Sequence, residues 1–422
     1  MLKFGNLRSY LRATAALPFA MAALTAGHAS PAAAQEKVLY TFQGSPDGAF
    51  PEAGLIGDKA GNLYGTTFHG GNTGCNFSAG CGTVFKLAPD GTETVLYTFT
   101  GGSDGGEPTN GDALIRDAKG NLYGTTGEGG ADDAGVVFRI APDGKEKVLY
   151  SFTGGNDGNI PRGVILDKAG NLYGTTILGG ANGVGTVFKL TKTKGGNYTE
   201  SVLHSFGSGS DGTRPYGGVI EDEAGNLFGA TNTGGPNNDG VVYKITPDGS
   251  ETVLYAFTGG SDGGVPGYES LIQDSAGNLY GTTVVGGNQA CSQGCGTVFK
   301  VSPEGEETVL YAFSGFADGM NPWSGVSMDR KGNLYGVTLG GGNGGCDPDE
   351  SCGTVYKLTP DGKHTVLYAF NGGSDGGAPY TTLIKDTPDG KGELFGTTEF
   401  AGSNRSCLQG SVGCGVVFEI EK

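Results

Sequence analysis

A five-residue phrase, GNLYG, returns at near-constant spacing along the chain, and it restricts the fold more than any other feature of the sequence. It begins at Gly61, Gly120, Gly170, Gly277 and Gly332, reads GNLFG from Gly225 and GELFG from Gly392, and successive copies lie 50 to 60 residues apart. A period of that length means one supersecondary unit per repeat, with each unit packed on its neighbours. In the second unit the spacing predicts four strands, over 113–117 (ALIRD), 121–126 (NLYGTT), 135–140 (GVVFRI) and 147–152 (KVLYSF). β-Branched and aromatic residues mark the strands, and D-G and G-N pairs supply the turns between them. The strands are apolar on both faces more often than they alternate, as expected of sheets covered on both sides.

The count of strands predicts closure. The fourth-strand phrase VLYxF also occurs seven times, starting at Val38, Val95, Val148, Val202 (as VLHSF), Val253, Val309 and Val366. The array therefore opens on a fourth strand without its first three, and it ends on GVVFEI at 415–420, a third strand without its fourth. Pairing residues 38–42 with the last unit completes seven four-stranded sheets and leaves no open end. The expected fold is all-β: a seven-bladed β-propeller closed by pairing of the N-terminal strand with the last blade.

The composite pattern GNLYGTT, GG, GTVFKLxPDG, ETVLYxF and GGSDGxxP resembles the GloVer tandem-repeat proteins, also called choice-of-anchor tandem repeat proteins, over residues 37–420. The resemblance implies an exported propeller-like repeat protein and no particular chemistry. Several members of that family end in a sorting anchor. This chain ends Glu419, Ile420, Glu421, Lys422, with no apolar tail or basic cluster, so it departs from them there.

The N-terminus reads as a signal peptide over 1–34. Lys3, Arg8 and Arg12 precede a largely apolar stretch from about Ala13 to Ala26, and Ala32 and Ala34 suit signal peptidase. That stretch falls short of the ~20 residues a membrane span needs. The expectation is a cut between Ala34 and Gln35, no transmembrane segment afterwards, and a single domain over 35–422 in the periplasm or outside the cell. Removing three basic residues moves the formal charge from -17 to -20. Such a charge repels nucleic acid and anionic lipid, and no basic stripe exists to offset it. Oligomeric state is not legible.

Eight cysteines fall in the loops between second and third strands, as Cys75 and Cys81, Cys291 and Cys295, Cys346 and Cys352, and Cys407 and Cys414. Those four loops hold 14, 12, 14 and 16 residues, against 8 in each of the three loops without cysteine. Four local disulfides stapling the longer loops are the natural reading in an oxidising compartment. The spacings do not suit zinc. No cofactor and no metal site is expected.

The links between units carry D-G-x-x-P seven times, with aspartates at 47, 104, 157, 211, 262, 318 and 375. Asp-Gly forms a side-chain-to-backbone turn. The alternating oxygen ligands of a calcium loop are missing, but calcium binding by these aspartates stays open. The residue after the proline breaks the symmetry: Glu52, Thr109, Arg162, Tyr216, Gly267, Trp323 and Tyr380. Tyr216, Tyr380, Trp323 and the adjacent Tyr268 form a candidate aromatic platform at the channel mouth, with Arg162 and Glu52 as polar contacts.

Catalytic motifs are weak. GxSxG at 101–105, 259–263 and 372–376 lies in repeat links and lacks the strand-to-helix setting of a nucleophile. No catalytic residue is assigned. The first expectation is a noncatalytic binding or scaffold propeller that recognises an extracellular glycan or protein at its mouth. The alternative is a secreted carbohydrate-active hydrolase or lyase working at the same place.

Overall fold

The computed structural model describes residues 34–421, except 73–74, 76–79, 109–111, 208, 316, 343–351, 386–391, 401–406 and 408–412. Residues 1–33 of the predicted signal peptide, Cys346 and Thr109 lie outside the described residues. Seven antiparallel sheets form the seven blades. Their second strands, in blade order, are Leu63–Thr67, Leu122–Glu128, Leu172–Leu178, Leu227–Thr231, Leu279–Val285, Leu334–Thr338 and Leu394–Phe400.

The ring closes as the strand count requires. In blade seven, Val416–Glu421 pairs with Leu394–Phe400 on one side and with the N-terminal Gln35–Thr41 on the other. The register runs from Gln35 opposite Glu421 to Thr41 opposite Val416, with an irregularity between Val38 and Tyr40. The same irregularity separates Val148 from Tyr150 in blade two, so the N-terminal strand behaves as an ordinary fourth strand.

The first strands are shorter than the sequence suggests. In blade two the ladder expected over 113–117 is only Ile115–Arg116, and Gly106–Pro108 makes a separate pairing with the same second strand. Among the described residues, only blade three has one continuous first strand, Asn159–Leu166, with an irregularity between Arg162 and Val164. The reason is crowding at the axis, where successive blades touch backbone to backbone. A Cβ on Gly217 would lie 2.5 Å from the carbonyl oxygen of Glu269 in the next blade. There the chain leaves its own ladder to meet its neighbour.

Three repeated contacts bind each blade to the next. The phenylalanine ending VLYxF packs edge to face on a third-strand aromatic of the following blade, as in Phe99 on Phe138 at 5.0 Å and Phe257 on Phe299 at 5.0 Å. All seven such phenylalanines are fully buried, worth roughly 1.5–3 kcal/mol each in transfer free energy. The residue before each repeated proline donates its N–H to the blade before, as Glu107 does to Cys81 O at 2.9 Å. These seven residues all have φ between 52° and 56°, a region unusual for non-glycine residues. The proline that follows covers a third-strand glycine so closely that a Cβ on Gly82 would sit 2.5 Å from Pro108 Cδ.

The linker aspartates act as turn residues. Asp104 accepts from the Tyr97 hydroxyl at 2.9 Å and from Thr100 N at 3.0 Å. Each of the other six makes the same pair of contacts, with His204 taking the tyrosine's place at Asp211. The glycine after each aspartate is forced by the buried threonine of the next second strand. A Cβ on Gly105 would lie 2.4 Å from Thr126 Oγ1.

Disulfides join Cys75 to Cys81, Cys291 to Cys295 and Cys407 to Cys414, with Cα atoms 5.2 to 5.3 Å apart. Each packs on the glycine that follows its own blade's fourth strand, Gly101, Gly315 and Gly44. The staple thus supports the link to the next blade as well as the loop.

Candidate functional site at the channel mouth

The post-proline residues converge on the axis, because equivalent positions on successive blades can touch only there. Tyr216 of blade four stacks on Tyr268 of blade five, with centroids 4.4 Å apart and planes at 22°. Tyr268 meets Trp323 of blade six edge-on at 4.6 Å and 78°. Trp323 meets Tyr380 of blade seven at 5.6 Å and 59°. The Arg162 guanidinium of blade three lies 5.4 Å from the Tyr216 ring centroid. The arc therefore runs unbroken over five blades. Tyr216, Tyr268 and Trp323 are half-buried, while Arg162 and Tyr380 are each 8% exposed. Thr109 lies outside the described residues, and Gly267 adds no side chain.

Glu52 of blade one joins the same group. Its charge acts on Arg162 and on Tyr380. It also acts on Glu399, at the end of the second strand of blade seven. Burial, reinforced by Glu52, pushes the Glu399 carboxyl up to about 8. Glu399 therefore carries its proton near neutrality, since burial and a neighbouring negative charge both disfavour its ionised form. Burial raises the Tyr380 and Tyr268 hydroxyls as well, so both stay protonated donors.

Beneath the arc the axis is braced by two acidic side chains. Asp112 of blade two accepts from Gly218 N of blade four at 2.6 Å, and from Ser270 N and Oγ of blade five at 3.0 and 2.7 Å. Glu269 of blade five accepts from Thr382 N of blade seven at 2.8 Å, from the Thr382 hydroxyl, and from Gly325 N of blade six at 3.3 Å. Burial raises both carboxyls; hydrogen bonds oppose this at each, and the charge of Asp112 adds to it at Glu269. The two carboxylates hold backbone amides of four blades and form the floor below the aromatics.

Sequence reading placed Glu52, Arg162, Tyr216, Tyr268, Trp323 and Tyr380 together, and the structure brings all six to one place. It did not find Asp112, Glu269 or Glu399. A signal for the first two exists in the repeat spacing. From the repeated proline to the next turn aspartate is seven residues in blades one, four, six and seven, but nine in blade two (Pro108 to Asp117) and eight in blade five (Pro266 to Asp274). The longer segments are the two that carry Asp112 and Glu269.

Fold and site together define a closed seven-bladed β-propeller with a single aromatic arc at one end of its axis. The Gloeobacter/Verrucomicrobia repeat matches residues 73–293 and 267–422, and the chain belongs to that family. No curated protein matches the sequence. Among solved structures, a gluconolactonase of Xanthomonas campestris is similar at 14% identity and a TM-score of 0.43, over 92% of this chain and 89% of that one. A calcium-binding protein, regucalcin, of Agrobacterium tumefaciens is similar at 14% identity and a TM-score of 0.42, over 92% and 93%. A luciferin-regenerating enzyme is similar at 11% identity and a TM-score of 0.43, over 92% and 95%. Identities this low assign neither substrate nor chemistry to this chain. Among the described residues, no helix is long and apolar enough to cross a membrane.

Proposed function

We propose that the protein is an exported, noncatalytic binding propeller, periplasmic or extracellular, which holds an extracellular glycan on the arc Tyr216–Tyr268–Trp323–Tyr380. The observation that carries this reading is the unbroken contact of four aromatic side chains from four blades, flanked by Arg162 and within the field of the Glu52 charge. Aromatic faces pack on the C–H faces of sugars while charged groups at their edge take hydroxyls. Asp112 and Glu269 support the binder reading, since both are engaged in bracing the floor. Trp323 is the only tryptophan in the chain, so its emission reports on the mouth alone. Titration with soluble oligosaccharides should give a saturable change in that emission. A protein that binds the arc in place of sugar would leave it unchanged by every oligosaccharide and would displace the glycan reading.

One observation favours a second reading, a carbohydrate-active hydrolase or lyase. Glu399, held up to about 8 beside Glu52, has the character of a general acid next to a carboxylate. Product analysis on the same sugars separates the two. A binder releases none, whereas an enzyme releases product that disappears in Glu399→Gln.

A further inference from the structure

The seam between blades seven and one, at the blade-turn end away from the aromatic arc, holds a cavity of ≈ 500 Å³. Its apolar wall includes Leu39, Leu63, Leu87 and Phe395, and Glu393 and Glu419 stand beside that wall. Ligand cavities span about 300–1,000 Å³, so the volume suits a small molecule.

The repeat shows what is missing there. In six blades the second-strand ring stands opposite a cation of the third strand: Tyr64 and Lys86, Tyr123 and Arg139, Tyr173 and Lys189, Phe228 and Lys244, Tyr280 and Lys300, Tyr335 and Lys357. Four of these rings have a cation within reach of their centroid, such as Lys189 at 5.0 Å from Tyr173 and Arg116 at 5.7 Å from Tyr64. Arg116 comes from the first strand of the following blade, and Lys385 covers Tyr335 from the corresponding position at 5.8 Å. In blade seven the residue opposite Phe395 is Glu419. The following blade is blade one, where the position of Arg116 and Lys385 is Gly57. A Cβ there would meet nothing within 4 Å. Glu393 stands where five of the other six copies of the phrase have the asparagine of GNLYG and the sixth that of GNLFG. Both internal cations are thus lost at one ring, and carboxylates occupy its surroundings. Lys37 and Lys59 also line the cavity, and Lys37 lies 3.4 Å from Glu419.

We propose that this cavity binds a small organic cation, a protonated amine or guanidinium on an apolar body. Its charge takes the place over Phe395 that lysine and arginine side chains take at four of the other six rings, close to Glu393 and Glu419, and its body lies on the leucines. An aromatic face and neighbouring carboxylates both attract a cation. The negative charge of the whole chain raises the local concentration of cations further.

Isothermal titration of the full protein with phenethylamine, against 3-phenylpropionate as the anion of similar shape, tests this. The amine should bind at least tenfold more tightly than the anion. Gly57→Arg supplies the missing internal cation at an open position, and it should weaken the amine at least tenfold with no change in melting temperature. Phe395→Leu should weaken it similarly. Trp323→Ala, at the other end of the axis, should leave it unaltered. Equal binding of amine and anion, no binding of the amine, wild-type binding by Gly57→Arg, or loss in Trp323→Ala would each overturn the proposal.

Discussion

Phe42 and Phe85 meet edge to face, with ring centroids 5.1 Å apart and planes at 69°. Phe42 follows the N-terminal strand of blade seven, and Phe85 lies in the third strand of blade one. The contact repeats at every seam, and here it joins the two ends of the array. Both residues are fully buried. Phe42→Ala should therefore destabilise the protein by about 3–5 kcal/mol, the usual cost of a buried phenylalanine. The internal equivalent, Phe257→Ala, should cost the same in urea unfolding. A much smaller cost for Phe42→Ala would mean that the terminal seam is not a true blade contact.

Stability should fall as pH rises through neutrality. Glu36, Glu93, Glu146, Glu200, Glu251 and Glu307 occupy equivalent places on fourth strands, and burial lifts each to about 7, with the charge of a linker aspartate adding. Each also has one oxygen with no hydrogen-bond partner among the described residues. The folded state holds these protons more tightly than the unfolded chain. Their contribution is complete below the ordinary carboxyl value of 4.5 and lost as pH rises through about 7. The turn aspartates, such as Asp329 lowered to about 2, act oppositely, but only at lower pH. The melting temperature should be higher at about pH 5.5 than at about pH 8, and Glu93→Gln with Glu146→Gln and Glu307→Gln should flatten the slope. A flat or rising profile in the wild type would contradict this.

Removing a staple should loosen one loop and leave the ring standing. Cys75→Ala with Cys81→Ala opens a ring with a sequence separation of 6, which loop-closure entropy values at about 2 kcal/mol. Amide exchange should speed up in the loop and at Gly101, on which the disulfide packs, and not in distant blades.

The axial braces should matter for stability. Asp112→Ala would leave the N–H groups of Gly218 and Ser270 without their acceptor, at about 1–3 kcal/mol for each buried orphan. Asp112→Asn keeps an acceptor and should cost less. Equal costs in chemical denaturation would count against a bracing role.

Much of this fold is legible because each blade is specified by residues that repeat. The VLYxF and GNLYG phrases carry the interblade rings, and the spare strand at Val38 declares the closure. The D-G-x-x-P links are legible as turns, although not as seam elements, since the contact of Pro108 with Gly82 joins residues of different repeats. Tyr216, Trp323 and Tyr380 stand out because they break the repeat at one fixed position, and Tyr268 lies one residue beyond it. Asp112 and Glu269 were hidden because they sit in segments of altered length, out of register with any repeated position. Glu399 was hidden because its shift comes first from burial and then from the charge of Glu52, which lies far away in sequence and on the adjoining blade.

The central claim is that the mouth arc is where this propeller meets its partner, and a glycan array read in parallel with wild type and Trp323→Ala tests it most directly. The wild type should retain a defined set of glycans, and the variant should lose them while melting as the wild type does. Retention of the same glycans by Trp323→Ala, or an array on which the wild type holds nothing, would contradict it.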